Sequence, residues 1–359
     1  MSFTLAIVTS FLITLTLIPI VIRVSKSVNV LDQPDKRKIH SISTPSLGGV
    51  AIFFGFILAL LLAVPLAELV LEKYFLGGIL IIFLLGVRDD LSSLQAKQKI
   101  LVQLFSAILV VFFAGIKIEG LNGLFGVNSF PWYFDEIFTL FVIVVMTNAF
   151  NLIDGIDGLA GSIAMVISLS FGFLFFISGA YIPSIVSLSV AGAALAFLIY
   201  NWYPSKVFMG DTGSMMLGFA LTVLLIKYLQ IPSSMLEQVS PVAIMLSLFI
   251  LPFYDTLRVF LIRFFSGKHP LSPDRNHIHH VLLKLGLNHG QATISLVTYN
   301  VAIVSAVFFF QSVGELWLIL IMVLLTVGCG ALLDRKVLKR ETARMARLVS
   351  SEIKMSKTA

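Results

Sequence analysis

The sequence predicts an all-α, polytopic membrane protein of about eleven transmembrane helices, with ten as the alternative count. Three observations carry this expectation. The 359-residue chain is 58% hydrophobic, more than a soluble fold of that size can hide. Only 12% of residues are charged, about half the usual fraction. The apolar residues fall into continuous runs of roughly 17–25 positions, the length that crosses a bilayer as helix, and do not alternate as in an outer-membrane barrel. Disorder and a soluble nucleic-acid-binding module are excluded on the same grounds, and the net charge of +6 is explained by basic loops beside anionic lipid. The single cysteine, Cys329, rules out a disulfide framework within the chain.

In order, the expected spans are Phe3–Val24, Gly48–Ala67, Leu69–Val87, Ile100–Ile116, Phe134–Phe150, Leu159–Ile177, Ile182–Asn201, Ser214–Lys227, Pro241–Ile262, Thr293–Val313 and Leu316–Leu333. The first lacks a basic leader and a small-residue cleavage site, so it reads as a span and not as a signal peptide. Lys227 ends a short run, and Glu72 with Lys73 interrupts another. Alternate connections collect the cations: Arg23 through Lys38, then Arg88, Lys97 and Lys99, then Lys206, then Arg263 through Lys284, and finally the tail from Arg335. The opposite connections hold only Lys73, Lys117 and Lys227, against seven acids. The expected topology therefore has the N-terminus outside and the C-terminus cytoplasmic, in the plasma (inner) membrane. Residues 1–334 form the membrane domain, and 335–359 a basic cytoplasmic tail that is either an interfacial helix or solvated.

Five polar clusters then fall on the cytoplasmic side, although their histidines and aspartates play no part in setting the topology. The first is Asp32 to His40 with the Thr44-Pro45-Ser46-Leu47-Gly48-Gly49 turn. The second is Asp89-Asp90, followed by Lys99; adjacent carboxylates at a span end suit Mg²⁺, or one of them serves as a base. The third places Asn148, Asn151, Asp154 and Asp157 every third residue, running into Gly155 and Gly158 where a helix should break. The fourth, Phe208 to Ser214, puts Asp211 at a helix start, either as an N-cap or as a cation-assisted anion site. The fifth runs from His269 through Asp274, Arg275, His277, His279 and His280; imidazoles and a guanidinium suit phosphate oxygens better than zinc or a pH switch. Asp255, one turn before Arg258 in a span, is expected to pair with that neighbour and to stay out of the site.

Taken together in this order, the clusters resemble those of the polyprenyl-phosphate N-acetylhexosamine-1-phosphate transferase family (glycosyltransferase family 4), from about Asp32 to His280. His277-Ile278-His279-His280 is similar to the branch that uses N-acetylglucosamine, and lacks the three consecutive histidines of the muramoyl-pentapeptide branch. The resemblance implies transfer of an N-acetylhexosamine 1-phosphate, N-acetylglucosamine first, from a UDP-sugar to undecaprenyl phosphate with release of UMP. That would be the first membrane step of a cell-envelope glycan. It implies Mg²⁺ as cofactor, with Mn²⁺ as the alternative. Asp211 resembles the main metal ligand and Asn151 its partner. Asp89, Asp90 and Asp211 are the catalytic candidates. Lys99, Asn148, Asp154, Asp157, Arg275, His277, His279 and His280 are the substrate-binding candidates, with Asp157 toward the uracil. The partners implied are the UDP-sugar, the lipid phosphate and the bilayer, with no nucleic acid and with room for a homodimer. The muramoyl-pentapeptide reaction is the alternative within the family. A secondary transporter coupled through Asp154, Asp157 and Asp255 is the alternative from another class.

Overall fold

A computed structural model describes residues 3–32, 43–232, 240–267 and 276–358. The chain runs α1 (Phe3–Ser27), α2 (Gly48–Ala63), a short α3 (Leu66–Leu69), α4 (Lys73–Leu91), α5 (Ala96–Ile108), α6 (Phe134–Ile153), α7 (Leu159–Ile177), α8 (Tyr181–Asn201) and α9 (Gly210–Leu229). It continues through α10 (Pro241–Leu248), α11 (Ile250–Phe265), α12 (Ile278–Lys284), α13 (His289–Phe309) and α14 (Glu315–Thr358). Leu31–Asp32 and Thr44–Pro45 pair antiparallel as a two-residue ladder.

Among the described residues, eight helices are long and apolar enough to cross a membrane, or nine when the bent pair α10 and α11 counts as one, so the protein is all-α and polytopic. The expected count of eleven departs from this at two places. Pro45 to Gly49 still introduces α2, but Val64 takes an extended conformation before Pro65 and stops the helix after 16 residues. The run expected at Leu69–Val87 shifts to Lys73–Leu91, because Val70–Glu72 forms a 3₁₀ turn, and charged residues then occupy both of its ends. The basic tail is not set off by any break: α14 continues as one helix from Glu315 to Thr358.

Helix α9 is the hub, because it is apolar on every face and almost wholly buried. Lipid gives helices no hydrophobic reason to associate, so close packing and interhelical hydrogen bonds must do it. The Ser10 hydroxyl on α1 donates to the Ser189 carbonyl on α8 at 2.6 Å, and Ser184 on α8 donates to the Gly172 carbonyl on α7 at 2.7 Å. A Cβ at Gly49 would lie 2.1 Å from the Gly213 backbone nitrogen, so α2 can approach the start of α9 only without one. The approach is sealed by Gly49 N–H donating to the Met209 carbonyl at 2.8 Å and Phe208 N–H to the Pro45 carbonyl at 2.7 Å.

Helices α10 and α11 meet at 70° beside Phe249. The carbonyls of Ser247 and Leu248, released by the break, accept the buried Asn300 amide of α13 at 3.1 and 3.4 Å. Beyond the bend, Asp255 and Arg258 of α11 reach the segment that begins α12.

Helix α4 and the turn that precedes it grip α9 at both ends. Near the end of α4, the Asp90 carboxylate receives the first backbone N–H groups of α9. At the far end, the Lys227 ammonium in the last turn of α9 is paired with Glu72, and both are largely buried. Glu72→Gln leaves Lys227 without its counter-charge and is expected to cost about 3–5 kcal/mol. A Glu72→Leu/Lys227→Leu double variant should recover most of this. Thermal unfolding in one detergent checks it; equal losses in single and double variants would show that the pair does not anchor α9.

Candidate active site

A cavity of about 780 Å³ opens where α4, α5, α6, α9 and α12 end or begin. Five aspartates line it, Asp89, Asp90, Asp154, Asp157 and Asp211, and Lys99 is the only lysine or arginine among its described lining residues. Asp89 and Asp90 share the end of α4, Asp154 follows α6, Asp157 lies in the loop beyond it, and Asp211 opens α9, so their surroundings differ.

Asp211 stands in the first turn of α9. One of its oxygens accepts the Asn151 amide at 2.7 Å and the other accepts the Lys99 ammonium at 2.7 Å. Lys99, in the first turn of α5, simultaneously pairs with Asp89 on α4. Asp89 also accepts the Leu94 N–H at 2.6 Å, which fixes the turn that leads into α5. A single cation thus sits between two carboxylates from two helices. Gln95 and Gln98 cap α5 reciprocally and hold Lys99 at this height.

Asp90 does something else. Its carboxylate accepts the Asp211 N–H at 2.8 Å, the Thr212 N–H at 3.0 Å and the Thr212 hydroxyl at 2.6 Å. It is therefore the N-terminal anion of α9, supplied from another helix, and it fixes the backbone of Asp211 directly. Asp211 itself does not cap α9, which closes one of the two readings of that motif.

The third cluster is split by the break that the glycines indicated. Asn151 remains helical and joins Asp211 and Ser214, donating to the latter's hydroxyl at 2.8 Å. Asp154 is the residue after the last turn of α6 and lies half-buried in the cavity. Burial, and then the negative charges of Asp211, Asp90 and Asp157, push its carboxyl up to about 7. Asp157 accepts the Ser205 N–H at 3.1 Å and faces His289 at 3.4 Å; although burial opposes it, these partners hold its carboxyl below the usual range. Asn148 is turned away: its amide donates to Gln103 at 2.6 Å and to the Val144 carbonyl at 2.7 Å, and it does not line the cavity.

The histidines also separate. His280 lines the cavity. His279 is 1% exposed, and its Nε2 lies where a Cβ at Gly155 would be, 2.3 Å away, so the loop after α6 can carry only glycine there. Burial, and then its neighbours His280 and His277, lower the pKa of His279 well below the usual value, so it is neutral. His277 is buried, stacks parallel on His279 with centroids 5.6 Å apart, and does not line the cavity. Arg275, like Asp274, His269 and the Lys36 to His40 stretch, lies outside the described residues.

Asp255 corrects an expectation. It does not pair with Arg258. Its carboxylate holds His277 Nδ1 at 2.7 Å and accepts the Ile278 N–H at 2.6 Å, while Arg258 donates to the Asn276 carbonyl and pairs with Asp334 of α14. The sequence reading also missed Gln103, Asn201 and His289. Asn201 accepts the Gly158 N–H at 2.9 Å and donates to the Val207 carbonyl at 2.9 Å, tying the loop after α6 to the approach to α9. A lone asparagine at the end of a span, just before Trp-Tyr-Pro, was the available signal.

Among the described residues, no three acid, imidazole or thiolate groups are arranged to hold a metal ion alone. The groups gathered here are the Asp211 and Asp89 carboxylates and the Asn151 amide, with neither sulfur nor imidazole among them, and the acids outnumber the cation between them. That composition fits Mg²⁺, which takes one or two carboxylates and completes its shell with substrate phosphate and water.

The model of glycosyl transferase family 4 matches residues 73–229. A Bacillus subtilis (strain 168) protein described as a probable undecaprenyl-phosphate N-acetylglucosaminyl 1-phosphate transferase is 36% identical over 306 residues, covering 84% of this chain and 82% of the relative. The chain belongs to this family. Similar too are undecaprenyl-phosphate alpha-N-acetylglucosaminyl 1-phosphate transferases of Yersinia pestis, 29% identical over 309 residues (83% of this chain, 81% of the relative), and Escherichia coli (strain K12), 29% over 297 residues (79% and 77%). The stretch matched to the glycosyl transferase family carries α4 to α9, and so every aspartate of the cavity; Asp255 and the α12 histidines lie beyond it.

An acid whose pKa rises on folding binds its proton more tightly in the folded state, so it weakens folding increasingly as pH climbs from its usual value near 3.8 to about 7. Asp154→Asn removes that penalty. Without nucleotide or divalent cation, its thermal midpoint should exceed that of the unaltered protein by a margin that widens from about pH 5 to about pH 8. A margin that is constant or shrinks over that range would contradict the charge crowding described.

Proposed function

We propose that the protein transfers N-acetylglucosamine 1-phosphate from UDP-N-acetylglucosamine to undecaprenyl phosphate and releases UMP. The observation that carries this is Lys99 held between Asp89 and Asp211 at the floor of the cavity, a cation among acids where two phosphates must be brought together. Membership of the family supports the reaction class, and the names of the relatives support the sugar.

The chemistry is a displacement at phosphorus. An oxygen of the lipid phosphate attacks the sugar-linked phosphorus. The bond from that phosphorus to the bridging oxygen breaks, and UMP leaves with the oxygen. The lipid phosphate is already ionised near neutral pH, so alignment and charge neutralisation matter more than a base. Asp211 and Asn151 would hold Mg²⁺ or Mn²⁺ together with oxygens of the diphosphate. Bound there, the ion would offset phosphate charge. Lys99 orients a phosphate oxygen, with Asp89 fixing its ammonium. Asp90 acts through α9, by setting the backbone that presents Asp211. Asp157, Asn201 and His289 form the end of the cavity suited to the base. His280 faces the diphosphate or sugar. Arg275 is proposed to do the same on the strength of the motif alone.

The same reading places the cavity at the cytoplasmic face of the plasma membrane, with the N-terminus outside, the C-terminus inside, and eleven crossings. Adding α2 and α4 to the nine apolar candidates gives that number. The scarce cations of the opposite face are consistent with it: Lys117 is paired with Asp135 and Glu136, and Lys227 with Glu72, so neither adds free positive charge outside.

Purified protein in detergent should release UMP only when UDP-N-acetylglucosamine, undecaprenyl phosphate and Mg²⁺ are all present. EDTA should abolish release, and Mg²⁺ or Mn²⁺ should restore it. Turnover with another UDP-N-acetylhexosamine alone would move the sugar assignment. UMP release that ignores EDTA or the lipid phosphate would overturn the mechanism.

A further inference from the structure

The motif histidines do not hold themselves in place. Asn276, His277 and Ile278 begin α12, and three groups of these residues are gripped from the same helix, α11, by side chains three positions apart. Asp255 takes the His277 ring and the Ile278 N–H; Arg258 takes the Asn276 carbonyl. Asp255 is 1% exposed, and an ionised side chain so placed within a span is tolerated only when its partners are fixed. Here both of its oxygens have one. Arg258 is braced in turn by Asp334 on α14.

We propose that Asp255 and Arg258 are positioning residues that clamp the start of α12, and that Asp255 fixes the tautomer of His277 with the proton on Nδ1. A carboxylate oxygen can only accept, so the ring atom 2.7 Å from it must donate. His277 then stacks on His279, and His279 lies 4.3 Å from His280, which reaches the cavity. The clamp therefore sets the ring that meets substrate through two intermediate rings, without touching substrate itself. The i, i+3 spacing that suggested mutual pairing of Asp255 and Arg258 serves to grip a third segment from both its donor and its acceptor side. The 70° bend between α10 and α11 is what brings that face of α11 against α12.

The kinetic arm of the test rests on the transferase reading; the spectroscopic arm does not. With ¹⁵N-histidine in the full-length protein in nanodiscs, the His277 signals, assigned by difference against His277→Asn, should show a proton on Nδ1. In Asp255→Asn, the amide oxygen can still accept the Ile278 N–H, but the amide nitrogen then faces Nδ1 as a donor. His277 should switch to a bare Nδ1. The kcat for UMP release should fall by about 100-fold with the KM for UDP-N-acetylglucosamine within about threefold. Arg258→Lys, which keeps the charge but cannot reach both partners, should lower kcat without changing the tautomer. A bare Nδ1 in the unaltered protein overturns the proposal, whatever the variants do. So does an Asp255→Asn enzyme that switches tautomer but keeps its kcat. If the unaltered protein releases no UMP from any UDP-sugar, the transferase reading fails and the tautomer alone judges the clamp.

Discussion

One lysine between two carboxylates organises this molecule. Lys99 joins Asp89 of α4 to Asp211 of α9, while its own helix, α5, begins within a few residues of the end of α4. Three charged groups half-withdrawn from water are costly apart and tolerable together. Their meeting obliges the ends of three helices to converge. The remaining acids of the cavity then exceed what one ammonium can balance, and that surplus is the chemical character of the site.

The rest of the bundle reads as a means of holding α9 still. Asp90 and Glu72, at the two ends of the α4 region, fix its start and its finish. The Pro45–Gly49 turn is hydrogen-bonded to Phe208 and Met209 just before α9, and Asn201 secures the connection that leads there. Mobile polar loops would be the usual place for binding residues. Here the polar groups sit instead at helix ends pinned by backbone contacts, which suits a reaction governed by alignment of two phosphates.

Much of this was legible in the sequence, because helix ends and spans are local properties. Apolar runs marked the helices. Gly155 and Gly158 marked the break after α6, and Gly210 to Ser214 the start of α9. The convergence of Asp89, Lys99, Asn151 and Asp211 followed from cation placement and motif order. Partner choice was not legible, because it is decided by contacts between distant residues. Asp90 meets backbone groups more than a hundred positions away. Asp255 looked paired with Arg258 because both lie on one helix face, but the bend beside Phe249 carries that face to α12. Asn148 shared the three-residue spacing of Asn151 and Asp154. Three residues fall short of a full helical turn, and Asn148 ends against Gln103. His289 and Asn201 stood alone in the sequence, so no spacing announced them. Two expected span boundaries shifted for a local reason: Pro65 and the 3₁₀ turn at Val70–Glu72 shortened one run and displaced the next.

The proposed function requires that the carboxylates gathered around Lys99 make a seat shared by a divalent cation and a phosphate, with Asp211 at its centre. Electron paramagnetic resonance of Mn²⁺ titrated into the purified protein tests it without turnover. One ion should bind per chain, more tightly when UMP is present and much more weakly in Asp211→Asn. Mn²⁺ that binds equally well with and without UMP, or equally well to Asp211→Asn, would contradict it.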